Sequence, residues 1–264
     1  MTVFDRFRLD GSRLFITGGS RGLGREMALA IAEAGADVVM VGRDPDSLAI
    51  TAADIRARGR QAWTITADAG TPDGCERACA EALALGPIDI LINNIGGRRI
   101  NVPIEDQSLA DWQAMIDLNL TSTFLATKLI GGAMVARAKS GNLKAGRIIN
   151  IASMSGLIAN RGIGGRHYEA AKAAIIHFTR ATAADWAPHR ITANAILPGF
   201  FMTEPNKRWA RENPAMIDNI RATVPIGDAG QPEDLGPLAV YLASDAARYM
   251  TGSALLIDGG YTIW

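Results

Sequence analysis

The chain has 264 residues, 48% of them hydrophobic and 20% charged. That is the composition of an ordinary soluble globular protein, neither disordered nor collagen-like nor membrane-spanning. Its 27 basic and 27 acidic side chains cancel and form no long basic stripe, which argues against nucleic acid as a partner.

Cys75 and Cys79 are the only cysteines. They are too few for a disulfide-stapled secreted fold or a zinc site with spaced ligand pairs, and both read as reduced residues of one helix. No metal site is expected. The N-terminal stretch MTVFDRFRLDGSR carries charges where a signal peptide needs an apolar core, and no apolar run approaches about 18 residues. A cytoplasmic protein with no membrane partner is expected. No repeat, low-complexity tract or linker divides the chain, so residues 1–264 read as a single domain.

Short apolar runs at 14–17, 38–41, 62–66, 88–92, 147–151, 192–196 and 254–257 predict strands covered on both faces. Between them, helical spacing spans 22–34, 46–58, 72–85, 108–136, 168–186 and 232–243. This alternation predicts an α/β fold, a Rossmann-type doubly wound parallel sheet of about seven strands with helices on both faces. Ligands of such sheets sit beyond the carboxyl ends of the strands, so the loops after strands are where chemistry belongs.

The first such loop, Thr17-Gly18-Gly19-Ser20-Arg21-Gly22-Leu23-Gly24, lies between a strand and a helix. Glycines there permit a tight turn and close approach of a pyrophosphate, and the helix start offers free N–H groups. The spacing is Gly-x-x-x-Gly-x-Gly, not the commoner Gly-x-Gly-x-x-Gly, and by itself it also fits a plain strand-to-helix turn. The second strand ends in Val41-Gly42-Arg43, with a cation where an NAD-preferring site carries an acid. Arg43 and Arg21 together suit a 2′-phosphate, so NADP(H) is favoured over NAD. The alternative is a solvated Arg43 paired with Asp44 or Asp46.

Further along the chain stand Asn93-Asn94-Ile95-Gly96 after the fourth strand, Tyr168-Glu169-Ala170-Ala171-Lys172 on a later helix, Pro198-Gly199 after the sixth strand and Asp258-Gly259-Gly260 near the end. With the glycine turn, these motifs in this order resemble the short-chain dehydrogenase/reductase family over nearly the whole chain. Two departures are visible: Ile95 stands where the family has Ala, and the stretch before Tyr168 is about two residues long.

The resemblance implies a catalytic tetrad of Asn119, Ser153, Tyr168 and Lys172. Tyr168 would be the general acid or base. Lys172, at i+4 on the same helix face, would lower the phenol's pKa and hold the nicotinamide ribose. Ser153 lies three residues before Gly156, as the family places its serine, whereas the usual interval from Tyr168 lands on Ser155. A longer loop through 159–162 accounts for the mismatch, and Ser153 is the choice. It would hydrogen-bond the substrate oxygen. Asn119, a poor helix former inside a predicted helix, would bend that helix and hold a relay water.

The match further suggests Gly18, Ser20, Arg21, Gly22, Leu23 and Gly24 around the pyrophosphate, Asp68 at the adenine, and Asn94 and Gly96 on the far ribose side. Pro198, Gly199 and Thr203 would approach the carboxamide. Residues 200–222 would form a substrate lid, helical over 204–220. Hydride transfer between NADP(H) and a secondary alcohol or ketone follows from the family. The run Gly96-Gly97-Arg98-Arg99 and the 153–156 segment are similar to members acting on sugar acids and polyols. A reductase of 3-oxoacyl thioesters and a non-catalytic NADP(H) sensor are the alternatives. Arg98 and Arg99 would hold an anionic group or face solvent. The two long helices would pair across subunits of a homotetramer, and Trp264 would pack on a neighbouring subunit or its cleft.

Overall fold

Leu14, Phe15 and Ile16 are fully buried in Arg13–Thr17 (β1), as a strand covered on both faces requires. The computed structural model describes residues 2–161 and 163–263; the expectation for Trp264 and the end of the 159–162 loop at Gly162 lie outside them. Asp37–Gly42 (β2), Ile90–Asn93 (β4), Gly146–Ile151 (β5) and Ile191–Pro198 (β6) are buried nearly throughout. Ala62–Thr66 (β3) and Ala254–Ile257 (β7) are the more open edges. All seven pair in parallel, in the order β3-β2-β1-β4-β5-β6-β7. The strand order reverses at β1, which pairs with both β2 and β4, and a crevice opens there at their carboxyl ends.

Alternate residues of each strand feed opposite layers. Leu14, Ile16, Val38 and Met40 pack with Gly22–Glu33 (α1), Pro45–Ala57 (α2) and the late helix Leu235–Ala243. Phe15, Val39 and Val41 pack on the other face with Pro72–Ala84 (α3) and the helices that follow β4 and β5. The early helices start where their caps dictate. Asp44 accepts from the Asp46 N–H with Pro45 in the first turn, and Thr71 accepts from the Gly74 N–H with Pro72 behind it.

The structure differs from the sequence expectations at several places. Residues 88 and 89 lie outside β4, because the Asp89 carboxylate accepts from the Arg13 N–H (3.1 Å) and from Arg137 (2.9 Å) and works as a clamp. The helix expected over 108–136 runs to Lys139 as Leu109–Ile116 (α4), Ser122–Ala126 (α5) and Gly132–Lys139 (α6). Two wide π-turns, Asp117–Thr121 and Thr127–Gly131, join these segments. Arg166–Trp186 (α7) begins two residues before Tyr168, with Gly165 in the left-handed region at its N-cap. The segment expected as one helix is two, Glu204–Glu212 (α8) and Ala215–Thr223 (α9). Pro214 lacks an N–H and pushes Asn213 out of helical geometry. Residues 232–234 form a single 3₁₀ turn, so the following helix (α10) starts at Leu235.

A chain of buried polar side chains crosses the sheet. Asn93 Nδ2 on β4 donates to Asn150 Oδ1 on β5 (2.8 Å) and to Thr127 Oγ1 (2.9 Å). Asn150 Nδ2 donates in turn to Thr179 Oγ1 on α7 (2.9 Å). These bonds add directional constraints to an otherwise apolar interior, although Asn93 Oδ1 is buried without a partner among the described residues. They hold α5–α6 and α7 in register above the ends of β4 and β5. Among the described residues, no helix is long and apolar enough to cross a membrane.

Candidate active site

The turn after β1 is braced against the loop after β4. Thr17 Oγ1 accepts from the N–H groups of Asn94 (2.9 Å) and Ile95 (3.1 Å), and Asn94 Nδ2 donates to the carbonyls of Thr17 (3.1 Å) and Gly18 (3.0 Å). The Asn94 amide is thus a strut that shapes the turn. Gly24 is obligatory for packing, since a Cβ there would fall onto the Gly18 carbonyl oxygen and the Asn94 amide. Arg21 caps α1 in extended geometry, so the N–H groups of Gly22, Leu23 and Gly24 have no helical partner and point a positive dipole end at the cleft.

That cleft is lined by Gly18, Ser20, Arg21, Arg43, Asp68 and Asn94, among others. Gly18, Gly42 and Gly96 leave its floor bare of side chains, and with the free N–H groups of Gly22, Leu23 and Gly24 in the adjoining cleft this fits a diphosphate. The Arg43 guanidinium, 52% exposed, stands 3.7 Å from Asp68 and does not pair with Asp44 or Asp46. Asp44 is instead engaged by Asp46 N–H and Ser47. Arg21 and Arg43 therefore leave two cations at the end of β2, where a 2′-phosphate would sit.

A second cleft shares Arg21, Asn94 and Gly96 with the first and is lined by Gly22, Leu23, Gly24, Ser153, Tyr168, Lys172, Pro198, Gly199 and Thr203. The structure thus brings together residues from six separate loops and helices. Lys172 is 3% exposed, and its ammonium donates to the Ile151 carbonyl at the end of β5 (2.8 Å) and lies 5.7 Å from the Tyr168 ring centre. Ser153 accepts from the Ser155 N–H (3.1 Å) and faces the cleft. Ser155 turns away and accepts from Asn160 Nδ2 (2.9 Å). Thr203 caps the start of α8 opposite Gly22.

Asn119 is fully buried in the first π-turn. Its side chain accepts from the Gly97 N–H (2.9 Å) and donates to the Met115 carbonyl (3.0 Å). The widened turn frees the backbone that Asn119 compensates. Gly96 threads between this amide and the lysine: a Cβ there would lie 2.6 Å from Asn119 Oδ1 and 2.9 Å from Lys172 Nζ. Asn119 therefore holds the loop after β4 against Lys172.

The electrostatics differ from the sequence expectation. Protein crowded round the Tyr168 hydroxyl pushes its pKa above the ordinary phenol value; the neighbouring Ser153 hydroxyl and Arg98 oppose this, and Glu169 adds to it. Lys172 stands near the ring but is not the nearer of the two cations there. Burial pushes Lys172 itself down to about 7. Arg98, read with Arg99 as holding an anionic group or facing solvent, has its guanidinium 4.7 Å over the Tyr168 ring centre. It pairs with Glu169 (3.1 Å) and donates to the Gly164 carbonyl (2.5 Å). Arg99 is exposed and lines the other cleft, beside Gly96 and Arg43. The two arginines do not act as a pair.

Glu169 is a site residue that sequence reasoning missed. Besides Arg98 it engages Arg166 (2.8 Å) and both the backbone and side chain of Asn160 (3.0 Å each). Arg166 at i−3 is the local signal for such a role, whereas Arg98 lies 71 positions away and carries none.

The enoyl-(acyl carrier protein) reductase family model matches residues 18–262. A galactitol 2-dehydrogenase (L-tagatose-forming) of Cereibacter sphaeroides is 37% identical over 98% of both chains. A gluconate 5-dehydrogenase of Gluconobacter oxydans (strain 621H) is 35% identical over 98% of both. The crystal structure of a gluconate 5-dehydrogenase from Burkholderia cenocepacia J2315 in complex with NADP and tartrate superposes with a TM-score of 0.89, at 36% identity and full coverage of both chains. The chain belongs to the short-chain dehydrogenase/reductase family. It is an oxidoreductase of that class.

The buried lysine makes a prediction for stability. Above a pH of about 7 the folded protein holds this amine neutral, while the unfolded chain keeps its proton up to the ordinary lysine value of 10.5. The unfolded state then binds more protons, so this group makes the cofactor-free protein more stable as pH rises between those values. Urea midpoints at pH 7 and pH 10 should therefore show a rise in the parent that is flattened in Lys172→Met. An equal rise in both would show that Lys172 is not desolvated in solution.

Proposed function

We propose that this protein is an NADP(H)-dependent dehydrogenase that interconverts a secondary alcohol and a ketone on a sugar acid, polyol or keto acid. The observation that carries the reading is that Ser153, Tyr168 and Lys172 face one cleft, which shares Arg21, Asn94 and Gly96 with a glycine-floored diphosphate cleft. The polyol and sugar-acid names of the relatives above support the substrate class. So do the polar groups of Asn206, Glu204 and Thr203 along the cleft.

When bound, the cofactor supplies or accepts a hydride. The N–H groups of Gly22, Leu23 and Gly24 with Ser20 would hold its diphosphate, Arg21 and Arg43 its 2′-phosphate, and Asp68 would lie at the adenine end. Asn94, Gly96 and Lys172 would line the far ribose, and Pro198, Gly199 and Thr203 the carboxamide. Ser153 donates a hydrogen bond to the substrate oxygen as negative charge grows there. Tyr168 gives that oxygen its phenolic proton in reduction and takes the proton back in oxidation. Asn119 keeps the loop of Gly96 and Gly97 pressed against Lys172. The paired helices α8 and α9 close over the substrate as a lid.

The proposal extends to a cytoplasmic homotetramer built on the two long helical segments. Phe124 on α5 is 45% exposed and stands edge-on to Phe178 on α7, 6.3 Å away, an apolar pair suited to a subunit interface. Light scattering of Phe124→Glu should show a smaller particle than the parent; an unchanged mass removes this face from the interface.

Two substitutions test the chemistry. Tyr168→Phe should lower turnover about a thousandfold while NADPH still quenches protein fluorescence at parental concentrations; loss of binding would assign Tyr168 to the cofactor. Arg43→Ala should weaken NADPH binding by about tenfold or more and leave NADH nearly unchanged. A panel of ketoses, keto acids, polyols and 3-oxoacyl thioesters, read by nicotinamide absorbance, separates the readings. Turnover of thioesters alone supports the thioester reductase, and NADPH binding with a silent panel supports the sensor.

A further inference from the structure

The cation nearest the ring of the proton-transferring phenol comes from a different element than the lysine four residues along its helix. Arg98 belongs to the loop after β4, and its side chain is 15% exposed. Its guanidinium has four separate engagements: the Tyr168 ring (4.7 Å to the centre), the Glu169 carboxylate (3.1 Å) and the carbonyls of Gly164 (2.5 Å) and Gly165 (3.4 Å). A guanidinium held by two N–H groups on carbonyl and carboxylate and lying over a ring is fixed in place, which a flexible ammonium would not be. Its donors are directed at Glu169 and Gly164, so it is not free to clamp a substrate carboxylate bidentately.

We propose that Arg98 is a positioning residue for proton transfer: it fixes the Tyr168 ring in the cleft and favours the phenolate with a stacked positive charge. This rests on Tyr168 being the acid and base. The charged and titratable groups around the phenol come from four directions. Arg98 approaches from the loop after β4. Glu169, Lys172 and the buried His167 share its helix, with Arg166 bound to Glu169. Ser153 comes from the loop after β5. Arg21 and Glu204, the latter paired with Lys207 (3.4 Å), line the rest of the cleft. Lys172 donates to the Ile151 carbonyl and lies 5.7 Å from the ring centre, which leaves Arg98, at 4.7 Å, as the nearer of the two cations. Arg98 lowers the pKa of Tyr168, and Glu169 raises it.

These opposite signs make the idea testable with the full-length protein. The phenol is followed in two ways: by the pH profile of kcat for alcohol oxidation, and by ultraviolet difference titration of each protein against its own Tyr168→Phe version. Arg98→Met removes the cation and should move the rising limb and the titration midpoint to higher pH by about one unit. Arg98→Lys, which keeps the charge, should recover at least half of that shift. Glu169→Gln removes the opposing anion and should move both readouts to lower pH. NADPH binding at parental affinity shows that each variant is folded; should Arg98→Met fail that check, Arg98→Lys and Glu169→Gln carry the test alone. Profiles that superimpose on the parent, with loss confined to kcat or stability, would make Arg98 merely structural and overturn the proposal. A shift of the same sign for Arg98→Met and Glu169→Gln overturns it as well. Full turnover in Tyr168→Phe itself would instead strike the underlying assignment of the acid and base.

Discussion

The hydrogen bond from Lys172 to the Ile151 carbonyl ties the helix that carries Tyr168 to the carboxyl end of β5. An ammonium this deeply buried has few ways to be satisfied, so its one protein acceptor sets where α7 can sit. Four residues earlier on the same face, Tyr168 is thereby delivered over Ser153, which follows β5 by two residues. Gly96 completes the arrangement, because only a residue without a Cβ can pass between Lys172 and Asn119. The π-turn at Asp117–Thr121 is the counterpart on the neighbouring helix, where a widened backbone admits the buried amide that holds that loop.

The parallel sheet makes this convergence possible. Strands β1, β4, β5 and β6 run in one direction and stay in register, so the loops after them emerge on one side. The glycine turn, the Asn-Asn-Ile-Gly loop, the serine and the Pro-Gly step therefore meet although about 180 positions separate the first from the last. The polar chain Asn93–Asn150–Thr179 adds directional bonds between strand and helix where apolar packing alone would tolerate sliding.

Charge is distributed unevenly between the two clefts. Arg21, Arg43 and Arg99 face the diphosphate cleft with Asp68 as the acid among its lining residues. Round the phenol, by contrast, Arg98, Glu169, Arg166 and Asn160 form a connected network. The first arrangement suits an incoming polyanion, and the second holds the Tyr168 side chain in place. Glu169 links the loop after β4, the loop after β5 and α7, so one carboxylate sets the shape of the wall beside Tyr168.

The amino-acid sequence by itself determined the alternation of strand and helix, the glycine turn, the order of the motifs and the family, because these rest on local periodicity, short-range backbone demands and fixed spacing. It also singled out Ser153 over Ser155 and Arg43 as a cation at the end of β2. Helix breaks at Pro214 and clamps such as Asp89 were written in single residues that periodicity overrode. Only the tertiary structure decided that Asn94 braces the turn, that Lys172 addresses a carbonyl, that Arg98 lies nearer the phenol ring than the lysine does, and that Arg98 and Arg99 line different clefts. Each of those outcomes depends on side chains brought together across tens of residues and on how far burial strips water from a charge. Neither quantity has a local signature, since both exist only once the sheet has stacked its loops over one edge.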